Sequence, residues 1–250
     1  MKHRQQVADA FGSTAAAYLT SHVHATGKDL QTLAGEVAAT PGASVLDMGC
    51  GAGHASFAVA PHAASVVAYD LAPQMLATVA AAAIDRGFSN IETQQGAAES
   101  LPFDNASFDW VISRMSAHHW HDVRQALVEV RRVLKPGGRV IFIDIAGSDH
   151  PLLDTHLQAV EVLRDGSHIR DYRADEWIAF FTEAGFSATV RERWRMPLEF
   201  DAWVARMRTP QPRVVAIRSI WESAPDEVKQ YFAVQADGSF ELDVLMIEAR

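Results

Sequence analysis

A short apolar run ends in three glycines at alternate positions, Gly49, Gly51 and Gly53, within VLDMGCGAGHASF at residues 45–57. Glycine loses more backbone entropy on folding than any other residue, so three of them after a strand-like run need a reason. One reason is a tight turn that lets a ligand approach the backbone, followed by a helix with free N–H groups at its start. The stretch therefore predicts a ligand-binding strand–turn–helix unit, with a plain structural turn as the alternative.

Strand and helix patterns alternate on both sides of this turn. We predict strands at residues 44–49, 65–70, 90–96, 108–114 and 139–146, and helices at 54–62, 72–87 and 122–138. This alternation is typical of βαβ units and predicts a parallel sheet with helices on both faces. Ligands of such sheets bind outside the carboxyl ends of the strands, which is where the glycine turn lies.

The rest of the chain adds helices and two more strands. Helices are expected at 4–20, 28–39, 151–165 and 173–186, and strands at 187–196 and 239–250. Between those two strands lie about 40 residues with a helical stripe, which we interpret as core; it contains Phe200, Trp203, Val204 and Met207. We therefore divide the chain into an N-terminal helical cap segment (1–40), a ligand-binding core (41–150), and the remaining strands (151–250) with a helical cap insertion at about 196–238.

Composition narrows the choice of partners and compartment. The net charge of −9 and the absence of a long basic run disfavour nucleic acid and anionic membrane surfaces. Cys50 is the only cysteine, so no disulfide can form within the chain, and a reducing cytoplasmic location is expected. No apolar run reaches the length of a membrane span, and the N-terminus lacks the apolar region of a signal peptide.

Two aspartates near the turn indicate which nucleoside would bind. Asp70 ends the second strand, 17 residues after Gly53, where a carboxylate can accept both hydroxyls of a ribose. The dinucleotide fingerprint would need glycine at position 54, which is His54 here. Asp47 would repel a pyrophosphate but attract an ammonium group. S-adenosylmethionine fits this pattern better than NAD(P), although an NAD(P)-dependent oxidoreductase stays the alternative.

Four motifs in order resemble those of class I S-adenosylmethionine-dependent methyltransferases. They are VLDMGCGAG, VVAYDLAPQML, GAAESLPFDNASFDWVISRMSAHHW and EVRRVLKPGGRVIFID, and the chain is most similar to the ubiquinone/menaquinone-biosynthesis C-methyltransferases (methyltransferase type 11). The resemblance implies a Rossmann-like sheet of seven mostly parallel strands, the last antiparallel, with a helical cap. It also implies S-adenosyl-L-methionine as the cofactor.

The resemblance also assigns cofactor positions in this chain. The methionine and ribose part of the cofactor would be lined by Asp47, Gly49, Cys50 and Gly51, and Asp70 would accept the ribose hydroxyls. The adenine would be flanked by Leu71 and Met75, and its edge would meet Ala97, Ala98 and Glu99. Ser113 and Arg114 would lie next to the transferring methyl group. Many relatives carry an aspartate where this chain has Ala97, which cannot accept a hydrogen bond from the adenine amino group. Adenine recognition would then depend on backbone groups, Glu99 or packing.

Methyl transfer from a sulfonium is an in-line displacement whose leaving group departs neutral. The protein must chiefly align the acceptor and exclude water, and a base is needed only for a weakly acidic acceptor. Histidine suits that role because it titrates near neutrality; the candidates are His118, His119 and His168, and further ones are His22, His24 and His121. Each could instead be a structural or surface histidine, and an ion-pair network around His168 would involve Arg164, Asp165, Arg170 and Asp171.

The acceptor side is less constrained. Tyr18, His22 and Tyr172 are candidate substrate contacts, whereas buried tyrosines with a bonded hydroxyl are common. No metal is expected, because His118 and His121 lack a third ligand. The sequence thus predicts a methyltransferase with a small-molecule acceptor, and a non-catalytic S-adenosylmethionine-binding protein is a second alternative. The acceptor atom and the oligomeric state are left open.

Overall fold

The computed structural model describes residues 2–12, 19 and 27–250, and a single mixed sheet runs through it. Its strands are β1 (Ser44–Met48), β2 (Ser65–Asp70), β3 (Ile91–Gln95), β4 (Phe108–Arg114), β5 (Leu134–Ile145), β6 (Ala188–Leu198) and β7 (Phe240–Ala249). Their spatial order is β3-β2-β1-β4-β5-β7-β6. The first five strands pair in parallel, while β7 lies antiparallel between β5 and β6. The predicted seven-stranded, mostly parallel fold with an antiparallel last strand is confirmed.

Helices cover both faces of this sheet. Within the described ranges they are α1 (Lys2–Gly12), α2 (Lys28–Ala38), α3 (His54–Val59), α4 (Pro73–Asp85), α5 (Val123–Val133), α6 (Pro151–Arg164), α7 (Ala174–Glu183), α8 (Phe200–Arg206), α9 (Gln211–Ser223) and α10 (Asp226–Tyr231), with 3₁₀ turns at Ala60–His62 and Ala117–His119. Alternate strand residues face opposite layers: Val45 packs with α2, α3 and α6, and Leu46 packs with α5 and α7. The central strands are apolar almost throughout because both of their faces are buried.

The helix expected over residues 122–138 is shorter in the structure. It ends at Val133, where Leu134 has an extended backbone (φ −76°, ψ 133°) and begins β5. Pro136 explains the stop, because proline lacks an N–H and disfavours a helical conformation in the residue before it. Leu134 pairs with Phe108 while Arg139 pairs with Trp110, so the extra residues form an irregularity at the start of the strand.

Three helices, α8 to α10, occupy the chain between β6 and β7 and bury the predicted aromatic stripe. Phe200 and Trp203 are almost fully buried, and Val204 joins the same core, whereas Met207 is half-buried. The strand before them continues to Leu198, two residues beyond the expected start of the insertion. Among the described residues, no helix has both the length and the apolar composition that crossing a bilayer requires.

Candidate active site

The glycine turn after β1 adopts backbone conformations that favour glycine. Gly49, Gly51 and Gly53 have φ angles of 67°, 50° and 85°. A Cβ on Gly49 would lie 1.8 Å from Ser116 Oγ and 2.6 Å from Ser116 Cβ, so a side chain there has no room. The N–H groups of Gly49 and Cys50 both donate to the carbonyl of Tyr69, at 2.8 and 3.0 Å, which ties the turn to β2.

Asp70 connects this turn to the loop after β2. Its Oδ2 accepts a hydrogen bond from Gly51 N at 2.9 Å, and its Oδ1 accepts one from Ala72 N at 2.8 Å. Burial raises the pKa of Asp70, and the backbone hydrogen bonds oppose that rise. Each carboxylate oxygen has more than one acceptor site, so both can also receive hydroxyl donors from a ligand.

Asp47 supplies a second carboxylate to the same edge of the sheet. Ser56 Oγ donates to its Oδ2 at 2.6 Å, but its buried Oδ1 has no hydrogen-bond partner among the described residues. Burial raises the pKa of Asp47 to about 6, against the hydrogen bonds from Ser56. A buried acceptor without a donor is costly, and a ligand ammonium would satisfy it. The donor and acceptor set at this edge therefore fits S-adenosylmethionine.

One cleft extends from the glycine turn to an inner chamber. Its empty space is about 1400 Å³ including the open mouth. The cleft brings together most of the predicted site residues: Asp47, Gly49, Cys50, Gly51, Asp70, Leu71, Met75, Ala97, Ala98, Glu99, Arg114, His118 and His119. The inner chamber is lined by Ile145, Glu161, Arg164, Met196, Leu198, Trp203, Arg206 and Leu242.

Other predicted residues lie elsewhere. Ser113 is buried within β4 and does not line the cleft. Tyr172 packs edge-to-face against Trp177 and Phe180, away from the cleft, with ring centroids 5.6 and 5.2 Å apart. Tyr18, His22 and His24 lie outside the described residues.

Hydrogen bonds to the backbone and to the Glu99 side chain hold the loop at residues 96–100 in place. The Tyr69 hydroxyl lies 3.0 Å from Ala97 O and 3.2 Å from Ser100 O. Glu99 accepts hydrogen bonds from Arg4 of α1 at 3.0 Å and from Asp122 N at 3.2 Å. Both Glu99 oxygens therefore already accept one hydrogen bond each, and Glu99 links this loop to α1 and to Asp122.

Helix α1 lies across the mouth of the cleft. His3, Arg4, Val7 and Phe11 line the cavity from this helix. His3 Nε2 lies 2.9 Å from Ser167 O, and the Phe11 ring meets the His119 ring edge-on at 4.7 Å. The helix thereby lines one side of the cleft, and its Ala8 and Phe11 pack on the buried cluster of Ala52, Ala72 and Met75 next to the glycine turn.

His118 is paired with a carboxylate that the sequence analysis missed. Its Nδ1 lies 2.5 Å from Asp144 Oδ1, and Asp144 also accepts hydrogen bonds from Ala117 N and Ile145 N. Burial alone would lower the pKa of His118, but the charge and hydrogen bond of Asp144 raise it to about 9. His118 is thus an imidazolium at neutral pH and offers a donor at Nε2 rather than a free base.

His119 and His168 stay neutral beside this cation. Burial and the charge of His118 lower the pKa of His119 to about 3 and also lower the pKa of His168. His119 Nδ1 lies 3.2 Å from Ser167 O, and His168 Nε2 lies 3.0 Å from Gln158 Oε1. The rings of the three histidines are 4.2 to 6.4 Å apart, yet only His118 and His119 line the cleft.

The described residues contain no group of three or more His, Cys, Asp and Glu that could hold a metal ion. Cys50 lines the cleft, but burial raises its pKa well above the usual range, so its thiol is protonated.

The first prediction concerns Gly49. We expect Gly49→Ala to lower the free energy of unfolding by about 2 kcal/mol more than Gly42→Ala, because a buried clash adds to the backbone strain. Gly42 is the matched control, since its φ is also positive (77°) but a Cβ there meets no atom within 4 Å. Urea unfolding of the two variants checks this, and equal losses would contradict it.

The second prediction concerns the pH dependence of stability. Because its folded pKa is raised, His118 stabilises the protein fully below its unfolded pKa, and this contribution disappears as the pH rises through about 9. We expect the stability difference between wild type and His118→Gln to shrink by about 3 kcal/mol from about pH 6 to about pH 10. Asp144→Asn should show the same shrinkage in urea unfolding, whereas a pH-independent difference for either variant would refute the assignment.

Comparisons with known proteins agree with this geometry. A family model described as "Methyltransferase domain" matches residues 46–142. The uncharacterized protein YafE of Escherichia coli is 52% identical over 197 residues, covering 79% of this chain and 95% of YafE. The uncharacterized methyltransferase YcgJ of Bacillus subtilis is 35% identical over 224 residues, and the match covers 90% of this chain and 88% of YcgJ.

Two further comparisons extend from sequence to structure. The crystal structure of YcgJ superposes with a TM-score of 0.82 at 34% identity, covering 88% of this chain and 97% of YcgJ. The demethylmenaquinone methyltransferase of Lactococcus lactis is 38% identical over 125 residues, 48% of each chain. The chain therefore belongs to this family of S-adenosylmethionine-dependent methyltransferases.

Proposed function

We propose that this methyltransferase transfers the methyl group of S-adenosylmethionine to a small-molecule acceptor bound in the inner chamber. The observation that carries the proposal is the continuity of the cleft, which joins Asp47, Asp70 and the glycine turn to a chamber closed by α6 and α8. A donor and an acceptor bound end to end in one cleft are aligned for in-line displacement and shielded from water.

The cofactor half of the cleft gives several of the predicted residues a role. Asp70 would accept the ribose hydroxyls, and the unpartnered Oδ1 of Asp47 would accept the ammonium of the methionine moiety. Leu71 and Met75 would pack on the adenine, whose amino group is left to the backbone of the loop at residues 96–98. S-adenosylmethionine supplies an activated methyl group in this position.

The acceptor half suits a small, largely apolar molecule. Its walls include Ile145, Met196, Leu198, Trp203 and Leu242. The net charge of −9 favours such an acceptor over nucleic acid. The division into a core and caps, and the cytoplasmic location expected from the single cysteine, stay predictions.

The third prediction tests the cofactor half. Asp70→Asn keeps one acceptor oxygen but removes the charge, so we expect S-adenosylhomocysteine to bind about 10- to 100-fold more weakly. Asp104→Asn, at an exposed position, is the matched control and should leave the affinity unchanged. Isothermal titration gives both values, and equal affinities in the two variants would remove Asp70 from the site.

The fourth prediction tests the activity itself. Methyl-labelled S-adenosylmethionine incubated with the protein and a small-metabolite extract should yield a labelled product. Mass spectrometry should show that this product is heavier than its precursor by one labelled methyl group in place of a hydrogen. Cofactor binding without any labelled product would favour the non-catalytic alternative. Micromolar binding of NAD with no binding of S-adenosylmethionine would favour the oxidoreductase.

A further inference from the structure

Three ionisable side chains with unused hydrogen-bonding capacity line the inner part of the cleft: His118, Glu161 and Arg164. His118 uses Nδ1 on Asp144, and its Nε2 has no hydrogen-bond partner among the described residues. The rest of the chamber wall that surrounds them is mostly apolar. Polar groups that converge in an apolar cavity usually orient a ligand.

Glu161 is a buried carboxyl on α6. Its Oε2 lies 3.9 Å from Arg164 Nη1, beyond hydrogen-bond distance, and within the described part of the chain its side chain forms no hydrogen bond. Burial raises the pKa of Glu161, the charges of Arg164 and His118 oppose the rise, and those of Asp165 and Asp144 add to it. A carboxyl with a raised pKa is a stronger base than an exposed one when it is ionised.

Arg164 is anchored at one end and available at the other. Its Nε donates to Trp203 O at 3.1 Å, and its guanidinium carbon lies 5.0 Å from the centre of the Trp203 ring. Neither of its terminal nitrogens forms a hydrogen bond with a described residue. With the imidazolium of His118 and the guanidinium of Arg206, which line the same cleft, the chamber has three cationic side chains in addition to the Glu161 carboxyl.

We propose that the inner chamber takes an acceptor with a weakly acidic hydroxyl, of the phenol or enol type, on an apolar body. Glu161 takes the hydroxyl proton, while His118 and Arg164 hold the oxyanion that forms. This inference rests on the proposed methyl transfer and names its substrate class.

Charge and hydrogen bonding disfavour two competing classes of acceptor. A protonated amine would face the cations of His118, Arg164 and Arg206 as well as the sulfonium. A carboxylate has no proton for Glu161 to take and would place a second carboxyl group beside it. A neutral hydroxyl, by contrast, uses the carboxyl as acceptor and the cations as donors.

The reaction balances within these groups. The acceptor O–H bond breaks and its proton passes to the Glu161 carboxylate. The oxygen forms a bond to the methyl carbon, and the carbon–sulfur bond breaks with its electron pair staying on the sulfur. The oxyanion gains hydrogen bonds from His118 Nε2 and Arg164 as its charge develops.

Three probes of similar shape test the proposal: 1-naphthol, 1-naphthylmethylamine, which is protonated at neutral pH, and 1-naphthoate, each titrated into the full chain saturated with S-adenosylhomocysteine. We expect 1-naphthol to bind at least about tenfold more tightly than the other two, since only it satisfies both the carboxyl and the cations. We also expect bound 1-naphthol to show the absorption of the naphtholate, because its proton moves to Glu161.

Variants separate a proton acceptor from a merely structural residue. Glu161→Gln should abolish the naphtholate absorption while S-adenosylhomocysteine still binds, and Glu161→Asp should restore part of it. Glu183→Gln is the control, because Glu183 is exposed on α7 and pairs with Arg124. If Glu161→Gln fails to bind S-adenosylhomocysteine, the naphtholate absorption of the wild-type protein and of Glu161→Asp decides whether Glu161 takes the proton.

Several results would overturn this inference. They are tighter binding of the amine or the carboxylate, no binding of 1-naphthol to the saturated protein, or a naphtholate spectrum that persists in Glu161→Gln. The proposed function fails by a different result, namely the absence of S-adenosylhomocysteine binding to the wild-type protein.

Discussion

The carboxylate of Asp70 joins two loops that would otherwise be independent. It receives one N–H from the glycine turn after β1 and one from the loop after β2, so the edge of the sheet is a single rigid unit. The positive φ angles of the glycines bring the N–H of Gly51 within reach of the Asp70 carboxylate. The absence of a side chain at Gly49 lets Ser116 pack directly against the backbone. The floor of the cleft, and with it the position of any cofactor, follows from this one set of contacts.

A second set of charges organises the chamber around His118. Asp144 holds the ring through Nδ1, and burial together with the resulting cation lowers the pKa of its neighbours His119 and His168. Burial raises the pKa of both Glu161 and Asp171 close by. The part of the cleft where an acceptor would lie therefore has the imidazolium of His118, the guanidinium groups of Arg164 and Arg206, and the carboxyl of Glu161.

Local features of the sequence were sufficient for much of the fold. Strands, the glycine turn and the acidic strand ends follow from periodicity and residue type, and the parallel core follows from their alternation. The end of α5 at Val133 was missed because the apolar pattern runs on through Leu134, although Pro136 already argued against a longer helix. The insertion of β7 between β5 and β6 is a long-range pairing that no local pattern specifies.

The residues of the candidate site also fall into those that sequence reasoning reached and those that it missed. Asp47, Asp70 and the glycines come from one continuous strand–turn–helix–strand stretch, so sequence reasoning reached them. Asp144 sits 26 positions from His118, and an acid inside the apolar run VIFIDI was the only clue to it. Glu161 and Arg164 look like ordinary polar residues of an amphipathic helix, and only the packing of α6 and α8 places them in the chamber.

The helix across the cleft mouth has a consequence for turnover. None of the residues of α1 is fully buried. Arg4 pairs with Glu99 and Gln6 with Gly166, while Ala8 and Phe11 pack on a small apolar cluster that includes Ala52 of the glycine turn. A nucleoside bound beside the glycine turn would lie next to this helix, so an exit on that side would require these contacts to break. A helix without a fully buried residue separates from the rest of the domain at a lower free-energy cost than a core helix does. Such a movement of α1 would allow the used methyl donor to exchange for a fresh one although the reaction chamber is enclosed.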